Sequence, residues 1–170
     1  MGTTIEDKRL YGYLKKKSKK SSNVYFNKRN STTGASKYIQ GKFFSKKNGL
    51  TFDYRSSYEL AYLQQLEKNE DVCSYIYEPF EIGYIDISRS ARNYRPDFMI
   101  LFKNGDMQIS EVKPTAMLAD FNVRAKAKAA EIFLKENFKD CSICYKFITE
   151  KDLFTSDKEY YDFVKSVKNG

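Results

Sequence analysis

The stretch Tyr94-Arg95-Pro96-Asp97-Phe98-Met99-Ile100-Leu101-Phe102, followed by Asn104-Gly105 and then Met107-Gln108-Ile109-Ser110-Glu111-Val112-Lys113, decides how this chain folds. The unbroken apolar run from Phe98 to Phe102 suits a strand buried on both faces at the centre of a sheet. Asn-Gly between two such runs signals a hairpin, read here as a two-residue turn joining strands over 94–102 and 107–113, the second stopped by Pro114. Alternation along the second strand puts Glu111 and Lys113 on one face and Val112 on the other. The hairpin brings Asp97 beside Glu111. Two adjacent carboxylates repel unless a cation meets them, so the pair reads as a site for a hard divalent cation such as Mg²⁺, with Lys113 orienting a nucleophile or stabilising developing charge.

Outward from this hairpin the periodicities are regular. Residues 54–68 carry Glu59, Tyr62, Leu63 and Leu66 at helical spacing, and Ser56-x-x-Glu59 has the form of a capping box. Glu59 therefore has two competing uses, as a cap and as an acid aimed inward that needs a cation to meet it. Residues 72–77 and 80–87 read as strands separated by Pro79. Beyond Pro114, residues 120–138 read as a helix with Val123, Ala127, Ala130 and Leu134 on one stripe, 142–148 as a strand, and 157–167 as a final helix. The predicted order is α-β-β-β-β-α-β-α.

Charge divides the chain unevenly. Of its 30 Lys and Arg and 22 Asp and Glu (net +8), residues 1–50 hold 13 basic side chains and only Glu6 and Asp7 as acids. The excess is therefore in the N-terminal part, and a boundary is drawn at residue 50 between a basic arm, 1–50, and a domain, 51–170. Lys15, Lys16, Lys17, Lys19, Lys20, Lys28, Arg29, Lys46 and Lys47 alternate with tyrosines and phenylalanines, a pattern that suits phosphate contact and base stacking on DNA. Arg124, Lys126 and Lys128 on the 120–138 helix are further candidates for phosphate contact. The absence of histidine excludes Ser-His-Asp hydrolysis and His-based metal sites. Cys73, Cys141 and Cys144 cannot complete a zinc site and read as core residues of strands in a reducing compartment, with a redox pair at Cys141-x-x-Cys144 as the alternative. No apolar run reaches the roughly 18 residues of a membrane span and no export leader is evident, so neither a membrane nor secretion is expected.

Pro96-Asp97 with Glu111-Val112-Lys113 resembles the PD-(D/E)XK nuclease signature, and the element order from Tyr54 to Ile148 is similar to that superfamily's αβββαβ core. Within it, Tyr54-Arg55-Ser56-Ser57-Tyr58-Glu59, Tyr77-Glu78-Pro79, Tyr94-Arg95-Pro96-Asp97-Phe98 and Glu111-Val112-Lys113-Pro114 look like TnsA-type transposon endonucleases; phage junction-resolving and head-completion nucleases carry similar segments. The resemblance implies an α/β, restriction-endonuclease-like fold with a mixed central sheet flanked by helices, and a basic N-terminal arm added to it. It implies Asp97, Glu111 and the Val112 carbonyl as metal ligands, Lys113 as the catalytic lysine and Glu59 as the first-helix acid. The expected activity is that of a Mg²⁺-dependent DNA endonuclease, with Mn²⁺ substituting, in recombination, transposition, homing or junction cleavage. A phage DNA-processing or head-completion nuclease and a catalytically silent DNA-binding module on the same fold are the alternatives. Expected partners are DNA and, for such roles, a second copy or a recombination or virion protein. The expected location is the cytoplasm, that of the host if phage-encoded, or the virion.

Deleting residues 1–40 is expected to weaken DNA binding and flatten its dependence on salt, because fewer counterions are released on association. Duplex binding measured from low to moderate salt checks this; an unchanged slope makes the arm a passive tail or a protein-docking segment.

Overall fold

The computed structural model describes residues 39–169, so the expected DNA contacts of Lys15, Lys16, Lys17, Lys19, Lys20, Lys28 and Arg29 lie outside the described residues. The chain enters through β1 (Gly41–Ser45) and β2 (Leu50–Tyr54), followed by α1 (Ser57–Lys68), β3 (Val72–Tyr77), β4 (Ile82–Ile85), β5 (Ala91–Tyr94), β6 (Phe98–Phe102) and β7 (Met107–Val112). After a 3₁₀ turn at Thr115–Met117 come α2 (Phe121–Asn137), β8 (Ile143–Ile148), α3 (Glu150–Leu153) and α4 (Asp157–Asn169).

The central sheet has the order β3-β6-β7-β8, antiparallel except for the parallel pair β7–β8, which α2 connects as a crossover. Its two faces carry separate cores. On one, Phe98, Ile100 and Val112 pack with Tyr62, Leu63 and Leu66 of α1 and with the β1–β2 hairpin. On the other, Met99 and Ile109 pack with Ala130 and Leu134 of α2 and with Ile82 and Tyr94 of the β4–β5 ribbon. Alternation explains the split, since successive residues of β6 point to opposite layers. The result is the mixed, helix-flanked α/β sheet of a restriction-endonuclease-like fold, with α1, β3, β6, β7, α2 and β8 as its αβββαβ core.

Several boundaries differ from those the sequence predicts. The segment 94–102 is two strands, because Pro96 donates no amide to a ladder and breaks it; β5 pairs with β4 in a separate ribbon and β6 joins the sheet. The predicted strand over 80–87 shortens to β4 and lies in that ribbon. α1 starts at Ser57 rather than at 54, with Ser56 as its N-cap and Tyr54 closing β2. β1 lies before residue 50 and pairs with β2 after it, so the folded unit extends across the boundary drawn from charge, which reports side chains and not backbone pairing. Cys73 and Cys144 are exposed rather than core, since each occupies an outward position of its strand. Among the described residues no helix is long and apolar enough to cross a membrane.

The turn between β6 and β7 sets the register on which the functional residues depend. Gly105 donates its amide to the Phe102 carbonyl at 3.0 Å and Phe102 donates to Asp106 at 2.9 Å. The loop is thus three residues, 103–105, with Gly105 at φ 96, and not the two-residue turn predicted. A two-residue turn would set Asp97 across from Val112. The observed pairing of Phe98 with Ser110 sets it across from Glu111. Gly105→Ala is expected to destabilise the protein by about 1–3 kcal/mol, because a side chain at this φ is strained; chemical denaturation measures it, and a neutral result would mean the loop relaxes without cost.

Candidate active site

Four charged side chains gather where β3 and β7 end and β6 begins. Pro96 ends the ribbon and turns Asp97 into the start of β6, where its Oδ2 accepts the Val112 amide at 2.7 Å. Glu111 and Lys113, on one face of β7 and its continuation, meet through Oε1 and Nζ at 3.0 Å. Glu111 is only 4% exposed, and its second oxygen, Oε2, is buried without a hydrogen-bond partner. Glu59 approaches from the first turn of α1. Its amide donates to Ser56 Oγ at 3.1 Å, and its Oε2 accepts the Arg55 amide at 2.9 Å and the Tyr77 hydroxyl at 3.2 Å. The carboxylate thus reaches one residue further back than a capping box would take it, and serves as a cap while also facing the acids.

The electrostatics follow from crowding like charges where water is scarce. Burial, reinforced by the charge of Asp97, pushes Glu111 up to about 7 against the pull of Lys113. Glu59 is likewise raised to about 7, by burial first and then by Asp97. Asp97 is raised by burial, opposed by Lys113 and the Val112 amide. Burial by itself lowers Lys113, yet Asp97, Glu111 and Glu59 together outweigh it and hold the ammonium charged. Such a group of mutually perturbed acids around one lysine marks a candidate functional site, and is a poor way to stabilise a fold. The groups on which a hard cation could be held are the carboxylates of Asp97 and Glu111 and the Val112 carbonyl, all oxygen. Among the described residues no set of three carboxylates or thiolates converges closely enough to enclose a metal alone.

The other sequence candidates are dispersed. Arg124 and Lys128 are exposed on α2. Lys126 turns inward, its Nζ 5.4 Å from the ring centre of Tyr84 and 5.6 Å from that of Tyr94, and its carbonyl accepts the Tyr94 hydroxyl at 2.7 Å. Its charge lowers both Asp97 and Glu111. Lys46 is exposed, whereas Lys47 donates to the carbonyls of Asn69 and Val72, at the end of β3 away from Asp97. Pattern and spacing assign no role to Arg55, Tyr77 or Glu78, although the segments that contain them carry the family resemblance. Only the tertiary approach of α1 to the β3 corner joins them to the acids.

The fold and the constellation of Asp97, Glu111 and Lys113 are similar to those of PD-(D/E)XK nucleases. Residues 69–150 match the family described as TnsA-like endonuclease N terminal. No curated protein matches the chain.

A carboxyl whose pKa is raised on folding keeps a proton that the unfolded chain has released. Stability is therefore greatest below the unfolded value of 4.5 and falls as pH rises towards 7. The fall is about 1.4 kcal/mol for each tenfold gain in proton affinity on folding. In chelator-treated protein the denaturant midpoint is expected to be lower at pH 8 than at pH 5.5, and Glu111→Gln to reduce that fall. A midpoint equal at both pH values would mean that the acids are not crowded in this way.

Proposed function

We propose that this chain is a Mg²⁺-dependent DNA endonuclease that hydrolyses phosphodiester bonds in recombination or transposition. The observation that carries the reading is the forced proximity of Asp97 and Glu111, with one buried Glu111 oxygen lacking any partner, beside a charged Lys113. An orphaned oxygen and unrelieved repulsion call for a cation, and the all-oxygen donor set fits Mg²⁺, with Mn²⁺ a close substitute. Two carboxylates and a peptide carbonyl leave room for water and phosphate, as Mg²⁺ prefers. When the ion is bound, the chemistry supplied there is polarisation of the phosphate and acidification of water.

The chain's own residues do the rest. Val112 donates its amide to Asp97 and so fixes that carboxylate's orientation before any ligand arrives. Lys113, steadied by Glu111, holds a positive charge at the mouth of the site, where it can face the charge developing on the scissile phosphate. Glu59, tied to α1 and to Tyr77, can orient water or take a proton, since its pKa of about 7 lies near working pH. The basic residues of the arm, with Arg124 and Lys128, supply phosphate contacts along the duplex. The match to the TnsA-like family supports a role in transposition over one in a virion.

Asp97→Asn and Glu111→Gln are expected to lower Mg²⁺-dependent plasmid cleavage by at least about 100-fold while leaving the chelated protein as stable or more so. Lys113→Ala is expected to lose rate with Mg²⁺ binding largely intact, and Ca²⁺ to support DNA binding with little cleavage. Wild-type cleavage rates in Asp97→Asn or Glu111→Gln would sink the assignment.

Glu59→Gln separates capping from chemistry, because glutamine retains the acceptor for the Arg55 amide but brings no charge. The expected outcome is a near-normal melting temperature with cleavage down by orders of magnitude. Normal cleavage by Glu59→Gln would make Glu59 a cap alone.

A further inference from the structure

Glu78 and Arg95 take no part in the chemistry described so far, yet the chain is bent out of its way to place them. Glu78 has φ 47, a conformation that a side chain with a Cβ rarely adopts. The strain is held by the site itself, since the Glu78 amide donates to the Asp97 carbonyl at 2.9 Å. The Glu78 carboxylate, 13% exposed, lies between two guanidinium groups: Oε1 is 2.7 Å from Arg55 Nη2 and Oε2 is 3.9 Å from Arg95 Nη1. Arg95 is anchored on its far side by Glu81, 2.6 Å from Nη2. One oxygen of Glu78 is thus steadied by Arg95 while the other holds Arg55.

Arg55 is joined to the acids by three routes. Its amide donates to Glu59, and its guanidinium stands 5.9 Å from the ring centre of Tyr77. The hydroxyl of that ring donates to Glu59 as well. Its charge acts on both Glu59 and Asp97. Yet its side chain is 40% exposed, at the mouth of the site. An ordinary surface ion pair contributes too little to offset a strained backbone. Strain of this kind persists where it serves placement, and the group placed here is a planar donor whose fork matches two phosphate oxygens.

We infer that Arg55 contacts a backbone phosphate of the DNA strand entering the site, and that Glu78, backed by Arg95, is the positioning residue that aims it. The inference rests on the nuclease reading, but it concerns binding and can be measured without cleavage. Removing a negative charge from a DNA-facing surface tightens binding if the charge is only a bystander. Removing Glu78 therefore has opposite signs under the two readings.

The experiment uses the full chain without metal, a short duplex and fluorescence anisotropy over a salt series, with melting curves for each variant. Arg55→Gln is expected to weaken binding about 10-fold and to reduce the slope of log affinity against log salt by about 1. Arg55→Lys is expected to keep the slope and bind several-fold more weakly, because it keeps the charge without the fork. Glu78→Gln is expected to weaken binding. Lys158→Gln, an exposed change on α4, is the control, with slope and affinity near wild type. Tighter binding by Glu78→Gln, or wild-type affinity and slope in Arg55→Gln, overturns the inference, as does an equal loss in Lys158→Gln. If Arg55→Gln fails to fold, Arg55→Lys and Glu78→Gln decide, and wild-type binding by both overturns it. Wild-type protein that binds DNA but never cleaves it overturns the nuclease reading and leaves this one to the anisotropy; protein that does not bind DNA overturns both.

Discussion

Repulsion between Asp97 and Glu111, held opposite one another across β6 and β7 with little water between them, is the constraint from which the rest of this structure can be understood. In an ordinary core a pair of this kind would be replaced by apolar residues, which stabilise more. Here it is kept, and the surroundings compensate in part. Lys113 meets one oxygen of Glu111, the Val112 amide meets Asp97, and the fields of Lys126 and Arg55 reach Asp97. The compensation is incomplete, since one oxygen of Glu111 has no partner and the acids remain raised. On the function proposed above, a cation would complete it, and the stability given up on folding would become affinity for that ion.

The scaffold makes this possible by isolating the strain at one end of the sheet. Away from that end, β6 is filled on both faces by Phe98, Met99 and Ile100, all fully buried. Two independent cores, one under α1 and one under α2, fix the sheet from both sides. Each delivers something to the site: α1 brings Glu59 with its cap, and α2 with the ribbon brings Lys126 seated on Tyr84 and Tyr94. A rigid platform with a strained rim is what preorganised electrostatics need, because groups that need not move when charge develops stabilise it most. The nuclease reading and the role inferred for Arg55 draw on the same economy of fixed charges.

Local pattern along the chain was enough to find the central hairpin, the two amphipathic helices and the identities of Asp97, Glu111 and Lys113. An apolar run, an Asn-Gly turn and a helical stripe each report burial within a short window. The register of that hairpin was not legible in this way, because the choice between a two- and a three-residue loop depends on Gly105 adopting φ 96 between strands already paired. Nor was the division of 94–102 between two sheets, or the pairing of β1 with β2 across the charge boundary at residue 50, because a partner strand is chosen by packing and not by propensity. The place of Glu59 in the first turn of a helix capped by Ser56 was legible, but its bond to the Arg55 amide was not. That Arg55 and the adjacent pair Tyr77 and Glu78, distant from it along the chain, lie around the same acids emerges only in the folded molecule, and the reason is physical: like charges come together only where enough apolar area is buried elsewhere to hold them.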